Sequence, residues 1–140
     1  MSYLLDTCLI SELVSKQPER KVLDWLDAQI PEELYLSVIT IGEIAKGISK
    51  IAASQRKEEL RIWLNETLLD RFAERIIGID LETMLLWGEL VGNLEKLGRP
   101  LPILDSLIAA IAIHNSLSLV TRNEKDFVES GVAIVNPWAS

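Results

Sequence analysis

The chain has 140 residues, the length of a single domain, and a chain of that size buries roughly 68–70% of its unfolded surface without disulfide or metal staples. Hydrophobic residues make up 49% and charged residues 25%, which excludes intrinsic disorder. Lys+Arg is 14 and Asp+Glu is 21, giving a net charge of −7. Overall charge therefore cannot hold a nucleic acid; a local cation, a basic stripe or a partner would have to reverse the sign.

In chain order, Tyr3-Leu4-Leu5 is a short apolar run ending at Asp6, and it reads as a buried strand. Residues 10–14 read as a short helix, broken by Lys16-Gln17-Pro18. Residues 19–29 place Val22, Leu23, Trp25 and Leu26 at helical spacing, and Pro31 stops that helix. Leu34-Tyr35-Leu36-Ser37 reads as the second strand. A helix over 38–53 follows, with Ser37 or Thr40 as its cap, and then another over 55–72. Residues 75–79 form a third short strand, and a long helix over 81–97 ends at Gly98 and Pro100. Asp105 opens a helix to about His114, Leu117–Thr121 is a strand, and residues 132–135 supply the last one. Short apolar strands alternating with longer helices predict one α/β domain over 1–140, with a parallel sheet of about five strands flanked by helices.

Other classes fall away. The single cysteine, Cys8, excludes an internal disulfide and fits a reducing cytosol. The N-terminus has no basic segment before an apolar one, so no signal peptide is expected, and the expected location is cytoplasmic. The longest stretch free of Asp, Glu, Lys and Arg, 106–121, is shorter than the roughly 20 residues a spanning helix needs. Cys8 and His114 do not make a zinc site, and no phosphate-cradling glycine loop is present.

In an open α/β sheet, chemistry sits beyond the carboxyl ends of the strands. Asp6 ends the first strand, Glu43 lies early in the helix after the second, and Asp105 starts the helix before the fourth. Asn123 and Asp126 follow the fourth strand. Carboxylates converging there would repel one another, and a hard divalent cation such as Mg²⁺ or Mn²⁺ relieves that repulsion. Each acid also has a structural reading. Asp105 suits an N-cap, Thr40 with Glu43 matches a capping box, and Asp126 suits a turn.

Four segments carry a resemblance. They are Leu4-Leu5-Asp6-Thr7, the run Ser37 to Ile44, Leu104-Asp105-Ser106-Leu107-Ile108-Ala109-Ala110, and the run Leu119 to Phe127. In this order they resemble the PIN domain, and specifically the VapC-type toxin ribonuclease of toxin–antitoxin pairs. The resemblance covers nearly the whole chain. It implies a five-stranded parallel sheet and Mg²⁺-dependent endonucleolytic cleavage of RNA. It also implies a homodimer and a cognate antitoxin that blocks the activity.

Residue by residue, the resemblance puts the family's acids on Asp6, Glu43 and Asp105. Asp6 and Asp105 would hold the ion partly through waters, with Glu43 completing the charge and orienting the attacking water. Asn123 stands where many members have Asp; it offers a carbonyl oxygen but no charge. Asp126 would supply part of that missing charge. Thr121 resembles a hydroxyl that bonds within the acidic cluster, and Thr7 is placed to do similar work.

Glu43, Lys46 and Lys50 share a helix face, and Arg122 and Lys125 flank Asn123. These four basic residues are the expected RNA-binding rim, and ordinary solvated lysines are the alternative. The helix over 81–97 is apolar on more than one side, which fits either deep burial or contact with a second subunit or antitoxin. A phosphoreceiver domain is disfavoured, because no Asp lies between Asp27 and Asp70. An RNA-processing PIN nuclease without an antitoxin, or a catalytically weak partner-binding module, remains as an alternative.

Overall fold

The computed structural model describes residues 1–139. Five strands form one parallel sheet: β1 (Tyr3–Leu5), β2 (Leu34–Ser37), β3 (Ile76–Ile77), β4 (Ser118–Val120) and β5 (Ile134–Val135). Their spatial order is β3-β2-β1-β4-β5, and every neighbouring pair is parallel. The chain builds outward from β1 in one direction through β2 and β3, then returns to β1's other edge for β4 and β5. The strand order therefore reverses between β1 and β4, where open α/β sheets place their ligand crevice.

The helices are α1 (Thr7–Leu13), α2 (Arg20–Asp27), α3 (Val38–Ser49), α4 (Gln55–Ile62), α5 (Leu69–Arg71), α6 (Leu81–Lys96), α7 (Ile103–His114) and α8 (Glu124–Phe127). A π-helical segment, Trp63–Leu68, joins α4 to α5 and turns Leu64 and Leu68 into the core. The two apolar layers lie on opposite faces of the sheet. Leu5, Leu36 and Val120 pack with Leu9, Ile10, Ile44, Leu64 and Phe72. Leu4 and Leu119 pack with Ile108, Ile111 and Phe127. Successive strand residues point to opposite faces, so Leu4 and Leu5 serve different layers. Among the described residues no helix is long and apolar enough to cross a membrane.

The expected elements are present with corrections at their ends, and the single helix expected over 55–72 is instead α4, the π-helical segment and α5. The first helix begins at Thr7, directly after β1, because the Asp6 carboxylate accepts the Thr7 backbone N–H at 2.8 Å and caps it. α3 stops at Ser49, short of residue 53, and its cap is Ser37, whose hydroxyl accepts the Thr40 N–H at 3.1 Å. Thr40 is thus inside the helix, and the Thr40–Glu43 capping box does not form. α7 begins at Ile103 with Pro102 as its cap residue, so Asp105 sits in the first turn and is not the cap.

Candidate active site

Asp6 is the centre of the polar cluster at the carboxyl ends of β1 and β4. A carboxylate at the end of a core strand needs partners for its oxygens. Oδ1 takes the Thr7 N–H, and Oδ2 accepts the Thr121 hydroxyl at 2.7 Å. The register of β1 against β4 pairs Leu5 with Val120, so the next residue of each strand, Asp6 and Thr121, must meet. Thr121 Oγ1 also accepts the Asn123 backbone N–H at 3.1 Å, which fixes the loop leaving β4.

Glu43 reaches the same crevice from α3. Its Oε1 accepts the Thr7 hydroxyl at 2.5 Å, and Thr7 Oγ1 lies 3.2 Å from Thr40 Oγ1. Thr40 in turn lies 3.5 Å from Ser37 Oγ, and Ser37 and Thr40 are fully buried. A chain of hydroxyls from the α3 cap therefore supports Glu43. Asp105 comes from the first turn of α7, whose geometry Ser106 locks. The Ser106 hydroxyl donates to Ile103 O at 2.6 Å and accepts the Trp87 indole N–H from α6 at 2.9 Å.

Burial and like charge both act on the acids of this cluster. The Asp105 carboxyl is pushed up to about 6, first by burial and then by the charges of Asp6, Asp126 and Glu43. Asp6 is also raised, with burial the largest cause and Glu43 adding to it against the hydrogen bonds from Thr121 and Thr7. Asp105 thus feels the charge of three other carboxylates. These acids do not close tightly: among the described residues no three His, Cys, Asp or Glu side chains form a ready ligand set for a metal ion. The shared ion expected of Asp6, Asp105 and Glu43 accordingly finds no ready ligand set among the described residues. The donor chemistry suits a hard divalent cation, being all oxygen, anionic and partly desolvated. A cation there would offset the repulsion that raises Asp6 and Asp105.

The other expected residues divide. Asn123 heads α8 without a side-chain capping bond. Lys46 lies beside Glu43 on a small apolar pocket of about 190 Å³ lined also by Val38, Ile39, Gly42 and Leu104. Lys125 and Asp126 line a groove of about 160 Å³ with Arg99 and the 100–102 loop. Lys50 is exposed at the end of α3 and lines neither recess. Arg122 is held against Glu12 and the Trp138 ring. A larger recess of about 410 Å³, between α3 and α4, carries none of the four acids.

Cys8 corrects an expectation. It is not only an apolar filler: its Sγ lies 3.8 Å from Asp6 Oδ2 and 3.7 Å from Thr121 Oγ1. Burial pushes its thiol up and the Asp6 charge adds to that, so it stays protonated and serves as a weak donor to the cluster. Ser37 and Ser106 also went unrecognised as supports for the acids. Their only sequence signal was a hydroxyl at a helix start.

A PIN-domain family model matches residues 3–131, most of the chain. This chain belongs to the PIN-domain family. Among its PIN relatives, the VapC ribonuclease Y4jK of Sinorhizobium fredii is 35% identical over 96% of this chain and 96% of its own length. Toxin FitB of Neisseria gonorrhoeae is 35% identical over 96% of this chain and 97% of its own length. The crystal structure of FitAcB from Neisseria gonorrhoeae superposes with a TM-score of 0.94 at 34% identity, covering 99% of both chains. The expected PIN fold is therefore the observed one.

Proposed function

We propose that this PIN domain is a divalent-metal-dependent endoribonuclease and the toxin half of a toxin–antitoxin pair. The observation that carries the reading is the Asp105 carboxyl, pushed up to about 6 first by burial and then by the charges of Asp6, Asp126 and Glu43, in a sheet whose strand order reverses beside Asp6. A crevice so acidic repels a phosphodiester unless a cation intervenes. Relatives named as a VapC ribonuclease and a toxin support the same reading.

Asp6, Asp105 and Glu43 would hold Mg²⁺ or Mn²⁺, with Asn123 able to add a neutral oxygen. Bound there, such an ion lowers the pKa of water and stabilises charge on phosphoryl oxygens. The chain's own groups prepare the geometry. Thr121 and the Thr7 N–H hold the Asp6 oxygens, and the Thr7 hydroxyl holds Oε1 of Glu43. That bond fixes the Glu43 carboxylate as an acceptor able to orient a water for in-line attack on the scissile phosphate. Above about pH 6 Asp105 is ionised and available as a ligand. Attack by water leaves 5′-phosphate and 3′-hydroxyl ends.

Lys46, Lys50, Arg122 and Lys125 would form the basic rim, and a second subunit would double it. Leu81 and Leu85 on α6, with Ile103 on α7, are well exposed and offer apolar surface for a homodimer or a cognate antitoxin. The test is cleavage of RNA with Mg²⁺, with EDTA, and with Asp6→Asn or Asp105→Asn. Full activity in EDTA or in either variant overturns the reading. A wild-type protein inert toward RNA and without Mn²⁺ affinity is the partner-binding module instead.

A further inference from the structure

Arg122 occupies a special place. It stands between Thr121, whose hydroxyl bonds Asp6, and Asn123, which opens α8. Its guanidinium carbon lies 4.8 Å from the centroid of the Trp138 ring, and its Nη2 lies 3.4 Å from Oε2 of Glu12. Glu12 is itself fixed, with its side chain only 11% exposed and its Oε1 accepting the Glu19 N–H at 2.6 Å. The C-terminal turn that carries Trp138 is tied to the same loop. Asn136 donates to the Glu124 carboxylate at 2.9 Å and accepts the Trp138 N–H at 3.0 Å, while the Thr121 N–H bonds Val135 O at 3.0 Å.

The indole N–H of Trp138 is buried and meets no acceptor among the described residues. A buried tryptophan ordinarily places that N–H on a partner. The contact this ring does make with the loop is through its face, and a ring face attracts a cation. Arg122 still has its side chain 56% exposed, and one bond to Glu12 leaves further N–H donors on a five-donor group. A flexible arginine loses side-chain freedom when it binds an anion. One stacked on an indole and tethered to Glu12 stays available to an incoming anion.

We propose that Trp138 is a positioning residue for RNA binding: with Glu12 it holds the guanidinium of Arg122, the residue that follows Thr121, so that it meets a backbone phosphate beside the scissile one. This rests on the nuclease reading and adds a C-terminal device to it.

The experiment measures binding of a fluorescein-labelled, mixed-sequence single-stranded RNA by anisotropy in EDTA across a salt series, with Mg²⁺-dependent cleavage followed in parallel. Trp138→Leu keeps apolar bulk but removes the ring face. It is expected to weaken binding roughly two- to fivefold and to lower the salt slope by about one. Trp138→Phe keeps a face and loses no hydrogen bond, so it should bind as the wild type does. Arg122→Lys keeps the charge without the planar stack and touches no core packing, so it should weaken binding as Trp138→Leu does even if that variant folds poorly. Combined with Arg122→Ala, Trp138→Leu should cost nothing further. Full additivity in that pair, equal weakness of the Phe and Leu variants, or wild-type binding by Arg122→Lys overturns the proposal. If the wild type binds RNA and the variants behave as stated but nothing is cleaved, the positioning stands and the nuclease reading falls. If the wild type cleaves and the salt slope ignores Trp138, only the positioning falls.

Discussion

Two aspartates cap helices in this chain, and they titrate in opposite directions. Asp6 caps α1 and Asp80 caps α6, and each accepts a backbone N–H at 2.8 Å. Asp80 is exposed; the Thr83 hydroxyl and N–H hold its carboxyl below the usual range, and His114 at 3.8 Å adds to this. Asp6 accepts comparable bonds, yet burial and the charge of Glu43 raise it. Capping therefore does not set the protonation of a carboxylate. Its dehydration and its like-charged neighbours do, and of the two only Asp6 is buried beside another carboxylate, Glu43. A cap at a solvated helix end is architecture; a cap that stays costly after its hydrogen bonds are counted is a candidate for chemistry.

The sharpest way to break this contrast is substitution. Asp6→Asn or Asp105→Asn should lower RNA cleavage about 10²–10³-fold, measured on end-labelled RNA, whereas Asp80→Asn should leave the rate unchanged. Loss in Asp80→Asn equal to that in Asp6→Asn would erase the distinction between the two caps.

The second effect is on stability. A folded-state pKa above the ordinary value means stability that is complete at low pH and is lost as pH rises through the folded value. For Asp105 that window runs from 3.8 to about 6. Metal-free protein should thus lose thermal stability across it, and Mg²⁺ should restore more Tm at pH 7 than at pH 5. Asp105→Asn should flatten both responses in a thermal melt. Asp80 has the opposite sign: its stabilisation is present above the ordinary aspartate value and disappears as pH falls through the lowered one.

Smaller effects test the supports. Thr121→Val leaves Asp6 with one fewer donor and should reduce cleavage about tenfold, with Tm little changed. Ser37→Ala removes the α3 cap beneath the hydroxyl chain to Glu43 and should cost about 1 kcal/mol in chemical denaturation. The smallest expected change is a slight fall in Tm for Asp80→Ala, vanishing at acid pH where the carboxylate is already protonated.

The local pattern of this chain determined a good deal. Short, mainly apolar runs such as Tyr3–Leu5 and Leu117–Thr121 read as buried strands, because they are too brief for a helix and are bounded by turn residues. Their alternation with helices specified a parallel sheet. Asp6, Glu43 and Asp105 were legible because each falls at a strand end or helix start, where sheet geometry concentrates chemistry, and Thr121 only through the resemblance. Tertiary structure alone decided the rest. Glu43 could read as half of a capping box until Thr7, from a different helix, was seen to hold it. Cys8 read as filler until the parallel pairing of β1 with β4 set it beside Asp6 and Thr121. Arg122 read as a free rim cation until the C-terminal turn put Trp138 against it. Spacing along a chain specifies which face a side chain takes, but long-range register and the burial it produces determine which charges meet, and so which of them hold a proton.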